Sequence, residues 1–515
     1  MNTSPATATG DQFGEAALIQ QPIVLRLVWS AALVGLSALV HLPALLTSRP
    51  IDDDETYLAV MGRMIAHGDN LYQGVIDRKP PLAIWAYRWL VPNSWSLRWV
   101  HIAAILLIAL NGWIVAQIAL RLGANGTTAL TAGALTVIGS SLLGHADAHS
   151  ANFEVWGLVP ATVAVWCIVR SPRSFVYAAL AGAAVSVATN CKQPYVFTLV
   201  AVVIAARRGA RLRVAAVAAS ACATVTVGIA AFAGWSGYWR WVWLENGDYV
   251  KVGVATIVVL AIRQTLIFVA LQWPLAVGVV MGLRKYRGDN GHRAPRDPAT
   301  HAVVALAGWA IAALLGVASG LRFFGHYYQQ LIPPLALLAA FGMASWARTR
   351  QVLAAATAWA LALFGLVIFP SLRGLEAAPV ELARVVRAAT SPDDRVLIWG
   401  RLPDGAVRSH RVTAGRFVHH AYLTGLWANA ERTTPAIMAE EPYASRWTDF
   451  LADLKADPPK LIIDATPIVD GWDQFLLTAT PLRAWLSSCY TAVDQSAGLA
   501  TYRLRSEQGC LPPIN

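Results

Sequence analysis

The chain has 515 residues, 56% of them hydrophobic and only 14% charged, with a mean hydropathy of +0.48. A soluble domain carries about 25% charged residues, so most of this chain belongs in a bilayer and a wholly soluble protein is excluded. The net charge of +11 does not imply nucleic acid, because no long basic run or binding motif accompanies it; in a membrane protein Lys and Arg collect at the cytoplasmic face, against anionic headgroups.

Residues 1–22 are polar and lack the basic start of a cleavable signal, so they read as a short disordered cytoplasmic tail. Crossing a bilayer takes roughly 20 apolar residues. Candidate spans lie at 24–47, 98–120, 126–144, 153–169, 175–190, 194–206, 214–233, 264–283, 301–319, 326–346 and 352–371, an expectation of about eleven helices. With the N-terminus inside, the short inner loops hold fourteen Lys and Arg and the outer ones five: Lys192, Arg240, Lys251, Arg263 and Arg322. That bias predicts a multi-pass plasma-membrane protein with a cytoplasmic N-terminus and an extracytoplasmic C-terminal part.

The first outer loop, 48–97, is long and patterned. Asp52, Asp53, Asp54 and Glu55 stand in a row at its start; Asp77, Arg78, Lys79, Pro80 and Pro81 follow before apolar sequence resumes. Between them Tyr57, Val60, Met61, Met64 and Ile65 recur at helical spacing, which predicts an amphipathic helix lying in the interface. In 235–263 a second aromatic group, from Trp235 to Tyr249, reads as interfacial anchoring. After residue 372 charge, Pro and Gly return. RVLIWG (395–400), KLIIDA (460–465) and LATYRLR (499–505) read as strands, and 381–389 and 447–456 as helices. The expectation is a small soluble α/β domain over 373–515 on a transmembrane domain over 23–372. Cys167, Cys191 and Cys222 read as small buried hydrophobes, whereas Cys489 and Cys510 stand where a disulfide can form outside the cell.

Charged groups on the outer side recur at the ends of spans: Asp52 to Glu55, Lys79, the segment holding His145, Asp147, His149 and Glu154, then Lys192, Arg263, and Arg322 with His326. Packing the spans together brings them into one pocket. Carboxylates there can act as a general base or hold a divalent metal; Lys and Arg suit a phosphate or pyrophosphate. The pattern suggests a lipid-phosphate substrate. Blander readings stand beside it: the acids cap the helix that follows them, the histidines are merely solvated, Lys192 snorkels to the interface, and Asp77 pairs with Arg78.

The segment DDETYLAVMGRMIAHGDNLYQGVIDRKPPLAIW resembles the polytopic GT-C glycosyltransferases of the protein-mannosyltransferase and aminoarabinose-transferase type. The matches are Asp54, Glu55, Tyr57, Gly68, Asp69, Lys79, Pro80, Pro81, Leu82 and Trp85. Asn152-Phe153-Glu154 is similar to the family's acidic second outer loop, and RFFGHYYQQLIPPLALLAA (322–340) to its Arg, His-Tyr and Pro-Pro segment. The resemblance covers about residues 24–372.

It implies an inverting transferase that moves a sugar from a polyprenyl-phosphate donor to an extracytoplasmic lipid, glycan or protein. By position Asp54 would be the general base, with Asp53 able to take its place. Lys79 would hold the donor phosphate, and Glu55 and Glu154 would position substrate or a divalent metal. His326 and Tyr327 would line the donor pocket, and Asp53, Tyr57, Lys192 and Arg263 complete the expected substrate-binding set. Mg or Mn is the candidate cofactor, with Asp54 and Glu154 as candidate ligands. Two other classes are weighed against this. A transporter or flippase of a lipid-linked substrate calls for polar groups at mid-span and repeated halves, neither of which is present in the sequence. A non-catalytic scaffold leaves the acidic run and Lys-Pro-Pro unexplained.

Overall fold

The computed structural model describes residues 23–91, 95–143, 148–247, 249, 251–289, 298–344, 346–368, 377–400, 403–427, 434–468, 472–494 and 499–505. It is a helical bundle with a four-stranded sheet domain seated on one end. The chain enters through α1 (Ile23–Val40) and forms α2 (Asp53–Ala66) and α3 (Pro81–Leu90) in the first long loop. It continues through α4 (Arg98–Arg121), α5 (Gly126–Ser140), α6 (Phe153–Arg170), α7 (Phe175–Thr189), α8 (Thr198–Ala205) and α9 (Arg211–Ala233). After α10 (Val254–Leu271) come α11 (Trp273–Asp289), α12 (Pro298–Ser319), α13 (Ile332–Met343) and α14 (Thr349–Leu363). Seven helices among the described residues are long and apolar enough to cross a membrane, and the protein is a multi-pass membrane protein. Small residues let the helices approach closely: a Cβ on Gly182 would meet the Ala218 carbonyl, and one on Gly112 would lie 2.8 Å from that of Gly133.

Trp29 of α1 packs on Gly126 at the far end of the bundle, whereas the sheet domain sits on the end formed by the loops after α1, α5, α7, α9 and α12. The expected span 264–283 is replaced by two helices that meet at Gln272. Its side-chain amide donates to the carbonyls of Gly139 (2.7 Å) and Leu142 (3.1 Å), at the loop end of α5. α10 also starts from that end, five residues after Tyr249, whose ring packs on Arg78 of the first loop. Eighteen helical residues span about 27 Å, so a helix with both ends at one face lies along that face. α10 is therefore not a crossing, although its composition is that of one, and Phe268 is its single buried residue.

The sheet has the order β1-β2-β4-β3: β1 (Val396–Trp399) pairs parallel with β2 (Leu461–Asp464), and β4 (Ala500–Leu504) pairs antiparallel with β2 and with β3 (Tyr490–Asp494). Three of these strands match apolar runs of the sequence; β3, with Asp at its end and three small or polar residues, lacks such a run. The helices α15 (Ala377–Ala389), α16 (Asp404–Ser409), α17 (Tyr443–Ala456) and α18 (Arg483–Cys489) complete the domain. Cys489 is disulfide-bonded; Cys510, the other half of the expected pair, lies outside the described residues, as do His145 and Asp147.

Two expectations about the loops change. α2 does not lie in the interface: every residue from Glu55 to Met64 is buried, because α3 packs on one side and α16 of the sheet domain on another. At Gly62 a Cβ would stand 2.8 Å from the Arg88 backbone nitrogen, so only glycine permits the α2–α3 contact. The aromatic group after α9 divides. Trp235 and Trp243 are exposed, but Tyr238 is buried with its hydroxyl donating to Asn190 Oδ1 (2.9 Å). Trp241 packs edge-on to Phe417 and Tyr422 of the sheet domain. Trp241, and Tyr249 against Trp427, belong to the domain interface.

Candidate active site

The acidic run is cut up by the start of a helix. Asp52 is the N-cap of α2 and accepts from the Glu55 backbone N–H at 2.9 Å, so the next three acids occupy the first turn, where negative charge suits the helix dipole. Successive residues there point about 100° apart, and each acid meets a different environment.

Glu55 turns inward. Its carboxylate, fully buried, accepts from the backbone N–H groups of Ile51 (2.6 Å) and Ala151 (2.5 Å) and lies 3.1 Å from His101 Nε2. It ties the first loop to the second and to α4. Both oxygens accept from backbone N–H groups of the protein, whereas the resemblance implies a contact to substrate or metal at Glu55. Asp53 turns outward; its charge is felt by Asp404 of the sheet domain, beside Arg49.

Asp54 faces the loops. Its Oδ2 lies 3.8 Å from His326 Nε2, which is 3.9 Å from Glu154 Oε1, and Glu154 is ion-paired with Lys192. Asp54 keeps about 30% of its side-chain surface open, whereas His326 and Glu154 are almost enclosed. Burial pushes the Asp54 carboxyl up, but the cations of Lys79, His326, Lys192 and Arg78 outweigh it and hold the group down at about 2.

Three of these groups, Arg78, Lys79 and Lys192, line a cavity of about 340 Å³ bounded also by Gln193, Tyr249, Tyr327 and the α12 end at Ser319 and Gly320. The Lys79 ammonium stands 4.3 Å over Phe153, that of Lys192 3.7 Å over Tyr327, and the Arg78 guanidinium 3.6 Å over Tyr249 and 4.6 Å over Trp427. Aromatic faces hold the cations in place without neutralising them. Tyr249 is itself pinned: its hydroxyl meets that of Tyr327 at 2.9 Å and its carbonyl accepts from the fully buried Arg322, Nε at 3.0 Å. Leu321 and Phe323 on either side of Arg322 take positive φ angles (55° and 49°), a local strain of the kind that persists where the surroundings hold a side chain in position.

Asp54, Lys79, Glu154, Lys192, His326 and Tyr327 are thus brought together. Tyr57 is buried and stacked on His419 of the sheet domain, centroids 4.6 Å apart. His149 is buried edge-on to His41. Arg263 is the clear exception among the expected set: it sits exposed midway along α10, with no hydrogen bond or ion pair among the described residues. The reading of 264–283 as a span had placed it at a helix end, where it would have faced the pocket. Arg78, Tyr249 and Trp427 were missed. Asp77 does not pair with Arg78; it folds back to accept from the Lys79 N–H at 2.7 Å, leaving Arg78 to the aromatics. The Arg78 backbone N–H donates to Tyr422 of the sheet domain. No sequence signal links residues 78 and 422.

Between Asp54 and Glu154 the Lys192 ammonium already pairs with Glu154, and His326 lies within 4 Å of both carboxylates; a divalent ion there would have to displace Lys192. Among the described residues no group of three or more His, Cys, Asp or Glu is arranged to hold a metal.

A helical bundle with structured loops and a small mixed domain on one face is the GT-C membrane fold. In particular, ArnT from Cupriavidus metallidurans in the apo state superposes with a TM-score of 0.61 at 12% identity, over 95% of this chain and 100% of that one. ArnT bound to undecaprenyl phosphate gives 0.56 at 14% identity, over 92% and 98%. The archaeal oligosaccharyltransferase AglB from Archaeoglobus fulgidus gives 0.49 at 12% identity, over 95% of this chain and 75% of its own. At these identities the likeness is one of fold. No family model matches the sequence, and no curated protein does.

Proposed function

We propose that the protein is a membrane glycosyltransferase that transfers a sugar from a polyprenyl-phosphate donor to an acceptor on the loop face, with inversion and with Asp54 as general base. The observation that carries the proposal is the pairing of one partly open carboxylate with three cations of a single cavity. A lipid phosphate seated among Lys79, Arg78 and Lys192 has its leaving charge stabilised by groups already in place. Asp54 accepts the acceptor's hydroxyl proton as the oxygen bonds to the sugar carbon and the carbon–phosphate-oxygen bond breaks. Undecaprenyl phosphate bound to ArnT, which has this fold, supports the choice of donor lipid.

A carboxyl held at about 2 is a weak base, and the donor changes that. Its anionic phosphate offsets the cations that depress Asp54, which raises the carboxyl toward its ordinary value and strengthens it as a base once the donor is bound. Asp54 is the acid coupled to the cavity's cations, and Asp53 is turned toward Asp404 of the sheet domain, which favours Asp54 of the two. Lys and Arg counts in the loops and the disulfide at Cys489 support an extracytoplasmic position for the loop face. The test is Asp54→Asn beside Asp53→Asn in vesicles supplied with a labelled polyprenyl-phosphate sugar. Transfer is expected to be lost in the first and kept in the second; unchanged transfer by Asp54→Asn overturns the assignment.

A further inference from the structure

A second cavity, of about 550 Å³, opens at the seam between the first loop and the sheet domain, and no residue lines both cavities. Its walls come from Ser48 to Pro50, just before α2, from Trp95 and Ser96, from α15 and from the end of α16. Three of its lining side chains are guanidinium groups, Arg49, Arg387 and Arg408, with His410 beside them, and none is a carboxylate. Among the described carboxylates on the elements that wall it, Asp404 pairs with Arg408 and Glu381 on α15 pairs with Arg384; Asp53 is exposed at the start of α2. Arg387 donates to the Arg408 carbonyl at 3.1 Å, which places the two side by side. Trp95 stacks on His410, centroids 6.3 Å apart, as an apolar wall. His410, on the cavity wall, is held below its ordinary range first by partial burial and then by Arg387, Arg411 and Arg63, of which Arg387 lines the cavity.

We infer that this seam is a binding site for a phosphate-bearing acceptor headgroup, its phosphate held by Arg49, Arg387 and Arg408 and its apolar part against Trp95. Three planar forks, one of them also held by Asp404, suit the geometry of a phosphate, and the volume falls within the range of small-molecule sites. The cavity borders the start of α2, where the acidic run begins, so an acceptor held there lies next to the turn that carries Asp54. The inference rests on the transferase reading for its role as an acceptor site, but the binding itself does not.

Full-length protein in phosphatidylcholine nanodiscs is titrated with dioctanoyl phosphatidic acid, with native mass spectrometry counting bound molecules. The wild type is expected to show a saturable site that weakens at least tenfold in Arg49→Gln/Arg387→Gln, is largely kept by Arg387→Lys, and is unmoved by Lys79→Gln in the other cavity. Millimolar inorganic phosphate that competes shows that the phosphate group alone is read; an arginine-dependent site that it does not displace belongs to lipid headgroups. Unchanged affinity in the double variant overturns the inference. Should that variant lose its melting transition, displacement from the wild type decides: equal competition by the zwitterionic dioctanoyl phosphatidylcholine overturns it, and none sustains it. A failed Asp54→Asn test with this binding intact removes the transferase reading and leaves the site.

Discussion

The two cavities on the loop face hold the same kind of charge in different ways. In the inner one Lys79 and Lys192 are buried, and each inner cation, Arg78 included, is laid over an aromatic face. At the seam Arg49 and Arg387 are exposed. Buried, aromatic-backed cations are pre-organised: they pay their ordering cost on folding and meet a fixed anion without rearranging. Exposed arginines adapt and are screened by salt. Asp54 is coupled to the inner cavity.

The largest effect expected on this contrast is from Asp54→Asn, with transfer falling about 10²- to 10⁴-fold in the vesicle assay, while thermal stability falls only by the lost pairing with the cavity's cations, because Asp54 makes no structural hydrogen bond that α2 needs. Its neighbour should do the reverse. Glu55→Ala leaves two buried backbone N–H groups and His101 without their acceptor and should destabilise the protein by about 3 kcal/mol, read by thermal unfolding in detergent.

The third prediction concerns pH. In the free enzyme the Asp54 carboxyl is depressed below its usual 3.8 to about 2, so its stabilising ion pairing is complete above pH 3.8 and is lost as pH falls toward 2. Removing a cation raises the group: Lys79→Gln should move the acidic limb of the kcat/KM profile upward, whereas Arg387→Gln at the seam should leave that limb in place. A limb unmoved by Lys79→Gln would break the coupling between Asp54 and the inner cavity. The smallest effect is expected at Arg263→Ala, less than about twofold in transfer, since the side chain sits exposed on α10 away from both cavities. A tenfold loss there would mean that α10 approaches the donor.

Sequence and structure agree most where chemistry is local. Lys-Pro-Pro before α3, the Asp cap of α2 and the apolar runs of β1, β2 and β4 all depend on residues within a few positions of one another. The failures are instructive in the same terms. α10 has the composition of a crossing; only the hydrogen bonds of Gln272 to α5, from a helix more than a hundred residues distant in sequence, show that it returns to the face it left. Arg263 was misplaced as a consequence. Arg78 looked like half of a loop ion pair, since nothing in Asp77-Arg78 announces Tyr249 or Trp427.

From the chain alone came the membrane class, the position of the acidic and Lys-Pro-Pro segments on one face, and a resemblance that singled out Asp54, Lys79, Glu154 and His326. Those follow from hydropathy, charge and short spacing, which are properties of a linear string. Tertiary structure alone decided among the acids. Three consecutive carboxylates share composition and helix, and differ only in what the turn of α2 aims them at: Asp53 at the sheet domain, Asp54 at the cations, Glu55 at the backbone of the second loop. Adjacent residues on a helix diverge by about 100°, so their surroundings are set by segments far away in sequence, and no local pattern can assign them.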